Sequence, residues 1–520
     1  MRAVASVAVS FACACSIVWL ACSSGSGTGE TKGHDAGVLA SDAAADVAVD
    51  AGPFALGVSC NDVAASIYGD PGALPADKGD ILKCSQAPDM TAADLLAALT
   101  SNPVVDPGNQ PLTYAGKPFT SGAHVYRILY RTERGDPAGT PGYSSALVLV
   151  PTVPRAAGPL PILVGAHETW GQAPQCAVPN GLTGPGLEAD YDGQAYPLVG
   201  LGFPIIMPDL AGYANFEADA NPPSAYAQYA DEGKSTLDGA RAMAKLFPQS
   251  FDGRVVLVGH SQGGHTALSA LAISTAYAPE LSVVASAVYA PLWISQRSWG
   301  AIPYAAVDYP LVTQPTANAV AVWYHYTHGE LLDGPGHGLD PFLASKRSVI
   351  THFISGDCTD QGYDGGIGSA YPDLVDAATN AAGLFDPAFV TSVGMAATLG
   401  SPCATGDDVC AKWLQRYVED RPHLTTSVPV LVEYGLLDQT LPPRLMACAT
   451  DRLTSDQVHY SFCTSPDVGH QTVIRQQASY VADWIASQTL GEPAPAPCPT
   501  SNTIADDAGL VSCPSEPPND

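Results

Sequence analysis

From about residue 120 onward, short apolar runs alternate with turn residues and with longer stretches of helical spacing. Eight runs read as strands: His124–Arg131, Ser145–Val150, Pro161–Gly165, Phe203–Met207, Arg254–Gly259, Val283–Tyr289, Val428–Tyr434 and Gln457–Cys463. From Pro161 on, most of these runs are continuously apolar. That is the pattern of strands buried on both faces of a parallel sheet. Gly233–Phe247, Gly264–Ala278 and Gln471–Gln488 carry helical spacing and fall between or after them. Strand and helix in alternation predict an α/β fold with a doubly wound, mostly parallel sheet.

One interval breaks the alternation. Roughly 130 residues separate Leu292 from Thr426, too many for a structureless loop inside a compact domain. Tyr371–Ala382 and Asp407–Val418 read as helices, so residues 293–426 are expected to form a mostly helical cap or lid insertion. The α/β domain then comprises residues 53–292 and 427–488, followed by a Pro-rich tail at 489–520. Bulky residues of the insertion, among them Trp299, Trp323, Tyr324 and Trp413, are expected mainly to pack its own core. Some of them should face the site that the insertion covers.

The start of the chain has a different character. Arg2 is followed by an apolar stretch to Ala21 in which small residues dominate, and then by a Ser/Gly tract. Residues 1–21 therefore read as an export signal rather than a permanent membrane span. Trp19-Leu20-Ala21-Cys22 resembles a bacterial lipoprotein cleavage box, which makes Cys22 a candidate lipidation site. Plain secretion is the alternative. Residues 22–52 read as a disordered tether, because Ser, Gly, Ala and Asp dominate and no aromatic residue is present to bury.

Charge and cysteine content narrow the setting. With 51 acidic and 22 basic residues the formal charge is -29. Such an excess disfavours nucleic acid and anionic membrane surfaces as partners. A membrane is expected to be reached only through the N-terminal anchor. There are 13 cysteines. Cys13 and Cys15 lie in the expected signal and Cys22 is the candidate lipid site, so the remaining ten are available for disulfides in an oxidising compartment. Proximity along the chain suggests Cys60–Cys84, Cys403–Cys410, Cys448–Cys463 and Cys498–Cys513, with Cys176–Cys358 by elimination. The C-x-x-C spacing of a zinc site is absent from the mature part. His325, His328 and His337 match no metal motif.

The candidate chemistry centres on Gly259-His260-Ser261-Gln262-Gly263, a G-x-S-x-G match. The match sits between the β-branched run Arg254–Val258 and a helical stretch. A nucleophilic serine needs that strand–turn–helix setting. The tight turn demands small neighbours and presents Ser261 beside a helix N-terminus, which favours developing negative charge. A serine hydroxyl also needs a base, oriented by an acid. In this fold the chain order is Ser, acid, His. Asp438 lies on the turn after Val428–Tyr434, with Glu433 inside the strand as its competitor. His470 lies on the loop after Gln457–Cys463, and His459 is its nearest rival. Two donors are needed for the oxyanion. The backbone N–H groups of Gln262 and of Thr169, on the loop after Pro161–Gly165, are the candidates. His167 on that loop reads as a supporting or packing residue.

At these residues the chain resembles the secretory lipase family, the lid-bearing α/β-hydrolases that include lipase A-type enzymes. Gly79-Asp80-Ile81-Leu82 looks like the family's opening segment. His167-Glu168-Thr169-Trp170-Gly171 and Cys176-Ala177-Val178-Pro179 are similar to its H-G-T-x-G and C-A-P-S patterns, with Glu168 in place of a glycine. Pro208-Asp209-Leu210-Ala211-Gly212-Tyr213 resembles the segment after its fourth strand. The resemblance spans about Gly79 to Ser487. It implies an α/β-hydrolase fold, a helical lid, the triad Ser261, Asp438 and His470, and lipase or esterase activity. The implied partner is a small-molecule or lipid ester, and no cofactor is implied. Two other readings remain open. One is a serine aminopeptidase on the same fold. The other is a non-catalytic surface-binding lipoprotein, against which the intact Ser–Asp–His order argues.

Overall fold

The computed structural model describes residues 53–101, 111–172, 176–177, 191–213, 221–300, 302–304, 314–356, 381–441 and 443–498. The expected signal, Cys22 and the tether lie outside them. A nine-stranded sheet organises the described residues, in the order β1-β2-β3-β5-β4-β6-β7-β8-β9. Its strands are β1 Ile81–Met90, β2 Ala123–Glu133, β3 Pro141–Pro151, β4 Leu160–Ala166, β5 Ile205–Pro208, β6 Phe251–His260, β7 Ser282–Tyr289, β8 Val430–Gly435 and β9 Tyr460–Ser465. Strands β4 to β9 pair in parallel. The first three and the β3–β5 pair are antiparallel. The sheet is therefore the mostly parallel one the apolar runs predict.

β1 was not among the predicted strands. Lys83, Ser85, Gln86, Pro88 and Asp89 interrupt its apolar pattern, and it lies at the edge of the sheet. An edge strand tolerates proline and polar faces, so its sequence carries little strand signal.

Alternating side chains of the central strands feed two cores, because successive residues of a strand point to opposite faces. Val256, Val258 and Leu431 join Leu95 and Leu99 of helix α1 (Ala92–Ser101) on one face. Val255, Leu257, Val430 and Val432 join Leu237 and Met243 of α2 (Tyr229–Leu246) and Leu268 of α3 (Gln262–Tyr277) on the other. Among the described residues, no helix is long and apolar enough to cross a membrane.

Between β7 and β8 the chain makes several helices, including α4 (Gln314–His328), α5 (Arg347–Gly356) and α6 (Asp408–Glu419). Asp407 caps α6 by accepting from the backbone N–H of Cys410 at 3.0 Å. This matches the predicted Asp407–Val418. Most of Tyr371–Ala382 lies outside the described residues, as does Tyr309. A third apolar core holds this region together, with Trp299, Trp323, Tyr324, Phe385 and Trp413 buried in it. Tyr226 and Leu441 join it from the α/β domain. Trp293 packs instead with the core beneath the sheet, and Tyr304 is exposed.

Cys60–Cys84 and Cys403–Cys410 are bonded as expected from their spacing. Two other pairings need correction. Cys463 bonds Cys498, which excludes both Cys448–Cys463 and Cys498–Cys513. Sequence proximity fails here because the chain after the last helix, α8 (Thr472–Thr489, following α7 at Pro443–Ser455), returns to β9 at Cys498. Arg155 helps hold that return by pairing with Glu492 at 2.6 Å. Cys176 is also disulfide-bonded, while Cys358 lies outside the described residues.

Cys60–Cys84 closes a loop across a sequence separation of 24 and ties the first described residues to β1. Replacing both cysteines by serine should cost about 3.5 kcal/mol by the loop-entropy relation. Urea unfolding of the two proteins measures the difference, and an unchanged midpoint would contradict it.

Candidate active site

The strand order places the site. The chain leaves β4 toward β5 on one side, while β6 pairs with β4 on the other. Loops at the carboxyl ends of β4 and β6 therefore diverge and open a crevice, where open α/β sheets bind ligands. Ala166, ending β4, is in register with Gly259 near the end of β6. The loops bearing Thr169 and Ser261 are neighbours for that reason.

Ser261 adopts φ 54° and ψ -119°, and α3 begins at the next residue. Few non-glycine residues hold such a conformation, and it persists only where the surroundings enforce it. Three glycines allow the enforcement. A Cβ at Gly259 would sit 2.0 Å from the Gly263 carbonyl oxygen. One at Gly263 would meet the Ala166 carbonyl oxygen at 2.0 Å, and one at Gly264 the Cα of Pro291 at 2.7 Å. The elbow thus packs directly onto the loop that leaves β4. Gln262 opens α3, where the first backbone N–H groups have no acceptor within the helix.

The loops after β8 and β9 interlock. Leu437 N–H donates to the Val468 carbonyl at 3.0 Å, and Leu436 N–H to that of Ser465 at 2.9 Å. This brings Asp438 Oδ2 to 2.7 Å from His470 Nδ1. Asp438 Oδ1 accepts from the N–H groups of Thr440 at 2.9 Å and Leu441 at 2.8 Å. Both residues are buried. A carboxylate only accepts, so Nδ1 of His470 carries a proton and Nε2 is left with its lone pair in the neutral ring.

His260, just before Ser261, is fully buried and stands with its ring centre 4.6 Å from that of His470. Its Nε2 lies 3.0 Å from the His470 carbonyl oxygen, so it donates there. Burial, with the nearby His470 ring, pushes its pKa down to about 4 and keeps it neutral. Sequence reading treated His260 only as the variable position of the motif, yet it links the elbow to the loop that carries His470.

Thr169 is buried, with Oγ1 and the Tyr226 hydroxyl 2.8 Å apart. Tyr226 packs against Trp299 and Trp323 of the insertion, with ring centres 5.8 and 5.7 Å away. Tyr226 therefore bridges the loop after β4 to the residues between β7 and β8. Sequence reading missed Tyr226, since no motif marks it. His167 is buried, lies edge-on to Tyr213, and has its pKa lowered by that burial.

The competing carboxyl and imidazoles stand elsewhere. Glu433 lies within β8, in register with Tyr289 and Cys463, and is buried with neither oxygen hydrogen-bonded. Burial pushes its pKa up to about 8. His459 is exposed just before β9. His325 bonds the Ala321 carbonyl and the Tyr417 hydroxyl, and His328 bonds Asp420. His337 pairs with Asp340 at the surface. Among the described residues no group of three or more His, Cys, Asp or Glu is placed to hold a metal ion.

The sheet order and the strand–turn–helix at the end of β6 are those of the α/β-hydrolase fold. The family model for the secretory lipases matches residues 193–293, the stretch running through β5, the elbow and β7. The sequence matches no curated protein. Among solved structures, lipase A of Candida antarctica in its closed state aligns with TM-score 0.55 at 17% identity, over 86% of this chain and 94% of that one. A putative hydrolase of Legionella pneumophila aligns with TM-score 0.58 at 16% identity, over 78% and 98%. The rice cell wall degrading esterase LipA of Xanthomonas oryzae aligns with TM-score 0.53 at 18% identity, over 80% and 99%. The structural matches carry the fold, and the family match carries the resemblance to secretory lipases. The family match supports an ester-hydrolysing enzyme.

Glu433 generates a stability prediction. Its folded-state pKa lies above the unfolded value of 4.5. Below about pH 4.5 both states hold the proton and ionisation costs nothing. Between there and about 8 only the unfolded chain releases it, so stability falls as pH rises, by up to about 1.4 kcal/mol per pH unit. The Glu433→Gln protein should gain on the parent across this window in urea unfolding at pH 5, 7 and 8.5. A constant difference across the three would refute the assignment.

Proposed function

We propose that the protein cleaves carboxylic esters through an acyl-enzyme formed on Ser261. The observation that supports this most is the 2.7 Å contact of Asp438 with His470, on loops that meet beside the strained Ser261 elbow. In this reading Nε2 of His470 takes the Ser261 proton as Oγ attacks the ester carbonyl carbon. The carbonyl electron pair moves to oxygen, where the N–H groups of Gln262 and Thr169 receive it. Collapse of this intermediate breaks the bond to the alkoxy oxygen, and the imidazolium returns its proton to the leaving alcohol. Water then repeats both steps and frees the acid. Asp438 keeps the imidazole in the correct tautomer and offsets its transient charge.

Residues 293–426 act in this reading as a cap whose aromatic core borders the acyl site through Tyr226. Export fits the disulfides in the described residues, since such bonds persist in oxidising compartments. Export through residues 1–21, lipidation at Cys22 and a tether at 22–52 complete the proposal. The substrate class is a small-molecule or lipid ester, as expected for relatives of secretory lipases.

Ser261→Ala should lower kcat on p-nitrophenyl esters by about 10³-fold or more while thermal unfolding stays near that of the parent. Asp438→Asn should also be severely impaired, because the tautomer is lost. Glu433→Gln should retain most activity at pH 7. Steady-state kinetics of the three proteins decide it, and a Glu433 variant weaker than the Asp438 one would reverse the assignment of the acid. An aminoacyl amide series run alongside distinguishes an aminopeptidase, which would prefer the amides.

Replacing residues 300–420 with a short linker tests the cap. Each buried methylene contributes roughly 0.8 kcal/mol, so a folded truncation should lose discrimination among acyl chain lengths. A chain-length profile matching the parent's would show that the pocket is built elsewhere.

A further inference from the structure

Beneath the elbow runs a buried chain of hydrogen-bonded ionisable residues that the proposed chemistry does not consume. Glu232, in the first turn of α2, is fully buried. Its Oε1 accepts from the Ala227 N–H at 2.8 Å and from Nε2 of Gln262 at 2.6 Å. Its Oε2 accepts from Nδ1 of His265 at 2.9 Å and from Oγ1 of Thr266 at 2.8 Å. Three of these four donors stand within the first five residues of α3, immediately after Ser261.

His265 extends the chain. Its other nitrogen, Nε2, lies 2.6 Å from the Asp420 carbonyl oxygen. An ionised Glu232 and a backbone carbonyl both accept, so against them both ring nitrogens donate, which favours the imidazolium form. Burial opposes that charge, but the Glu232 and Asp420 interactions outweigh it and raise the pKa. The Asp420 side chain in turn accepts from the Tyr229 N–H, the Tyr324 hydroxyl and Nε2 of His328. Asp420 directly follows α6, and Tyr324 and His328 belong to α4. One connected set of bonds therefore joins α2, the start of α3 and the insertion.

The connection bears on Gln262. Its backbone N–H is the oxyanion donor of the proposed mechanism, and its orientation follows from the strained Ser261 conformation beside it. A strained peptide relaxes unless something holds it. A buried hydrogen bond to a carboxylate is among the stronger holds available to a side chain. Small displacements of a catalytic donor are costly, on the order of 10²-fold for about 1 Å.

We propose that Glu232 is a positioning residue, which fixes the Gln262 backbone N–H through the Gln262 side chain and, through His265 and Asp420, seats the insertion on the same point. The proposal rests on the reading of Ser261 as nucleophile. It adds to that reading a carboxylate that touches no substrate and no reacting atom.

A double-mutant cycle on the full chain tests it, with Glu232→Gln, Gln262→Met and the pair combined. Methionine keeps the backbone N–H and the side-chain length of Gln262 but cannot bond Glu232. The readouts are kcat and KM on p-nitrophenyl acetate, with active sites counted by a fluorophosphonate probe. Inhibition by an alkylboronic acid, which forms a tetrahedral anion on the serine, is measured in parallel. Each single variant should lose about ten-fold or more in kcat per titrated site, with boronic acid affinity falling alongside. KM should stay within about two-fold. The combined variant should be no worse than the poorer single one, since both act through one contact. A kcat per titrated site equal to the parent's, with the loss confined to the number of sites or the melting temperature, would mean a purely structural role and overturn the proposal. Additive losses would overturn it too. Should Glu232→Gln fail to fold, Gln262→Met decides alone, and an unchanged kcat and boronic acid affinity there refute the link. Failure of the underlying reading is recognisable separately: the parent itself would go unlabelled at Ser261, and both would fall together.

Discussion

Backbone must approach backbone without side chains at the turn after β6, and much of the site's geometry follows from this. Gly259, Gly263 and Gly264 each face atoms that a Cβ would strike, and the atoms facing Gly263 belong to the end of β4. The approach sets Ser261 at φ 54° and holds the loop bearing Thr169 against the start of α3. Neither loop could be displaced without opening the other. Parallel pairing of β4 with β6 supplies the frame, because it delivers the carboxyl ends of both strands to the same edge.

The same edge collects the remaining groups. β8 and β9 also run parallel to β6 through β7, so their following loops emerge beside Ser261. Interlocking of those two loops brings Asp438 to His470, and His260 ties the result back to the elbow. Asp438 and His470 thus sit on loops that backbone hydrogen bonds tie together just past β8 and β9. A site built on rigid elements keeps its geometry more closely than one built on loops alone.

Among the described residues, several buried charges are met by matching donors or acceptors, and Glu433 is not. Arg134 and Asp231 pair in the interior at 2.8 Å, and the Arg134 guanidinium is completed by the Pro223 carbonyl. Glu232, Asp420 and Asp438 each accept several hydrogen bonds. A buried charge otherwise carries a desolvation cost it cannot recover. Glu433 has no such partners, and its raised pKa is the consequence. Among the described residues, buried carboxylates differ by whether donors reach them.

Much of this was legible along the chain. Apolar runs of strand length, helical spacing between them and the small residues around Ser261 are local properties. They determined the α/β class, the elbow and the order in which acid and base had to follow. In a parallel sheet that order is enough to point at Asp438 and His470, since every following loop must emerge at one edge. Spacing along the chain does not determine which distant segments meet. Polar β1 therefore escaped notice, and Cys463 was matched to a near neighbour instead of to Cys498. Glu232, Tyr226, His265 and Asp420 carry no motif, because their roles come from partners up to 191 residues away, the separation of Tyr229 from Asp420. Local backbone preference is written in neighbouring residues, whereas the partners of a buried polar group are decided only when the sheet and the insertion close around it.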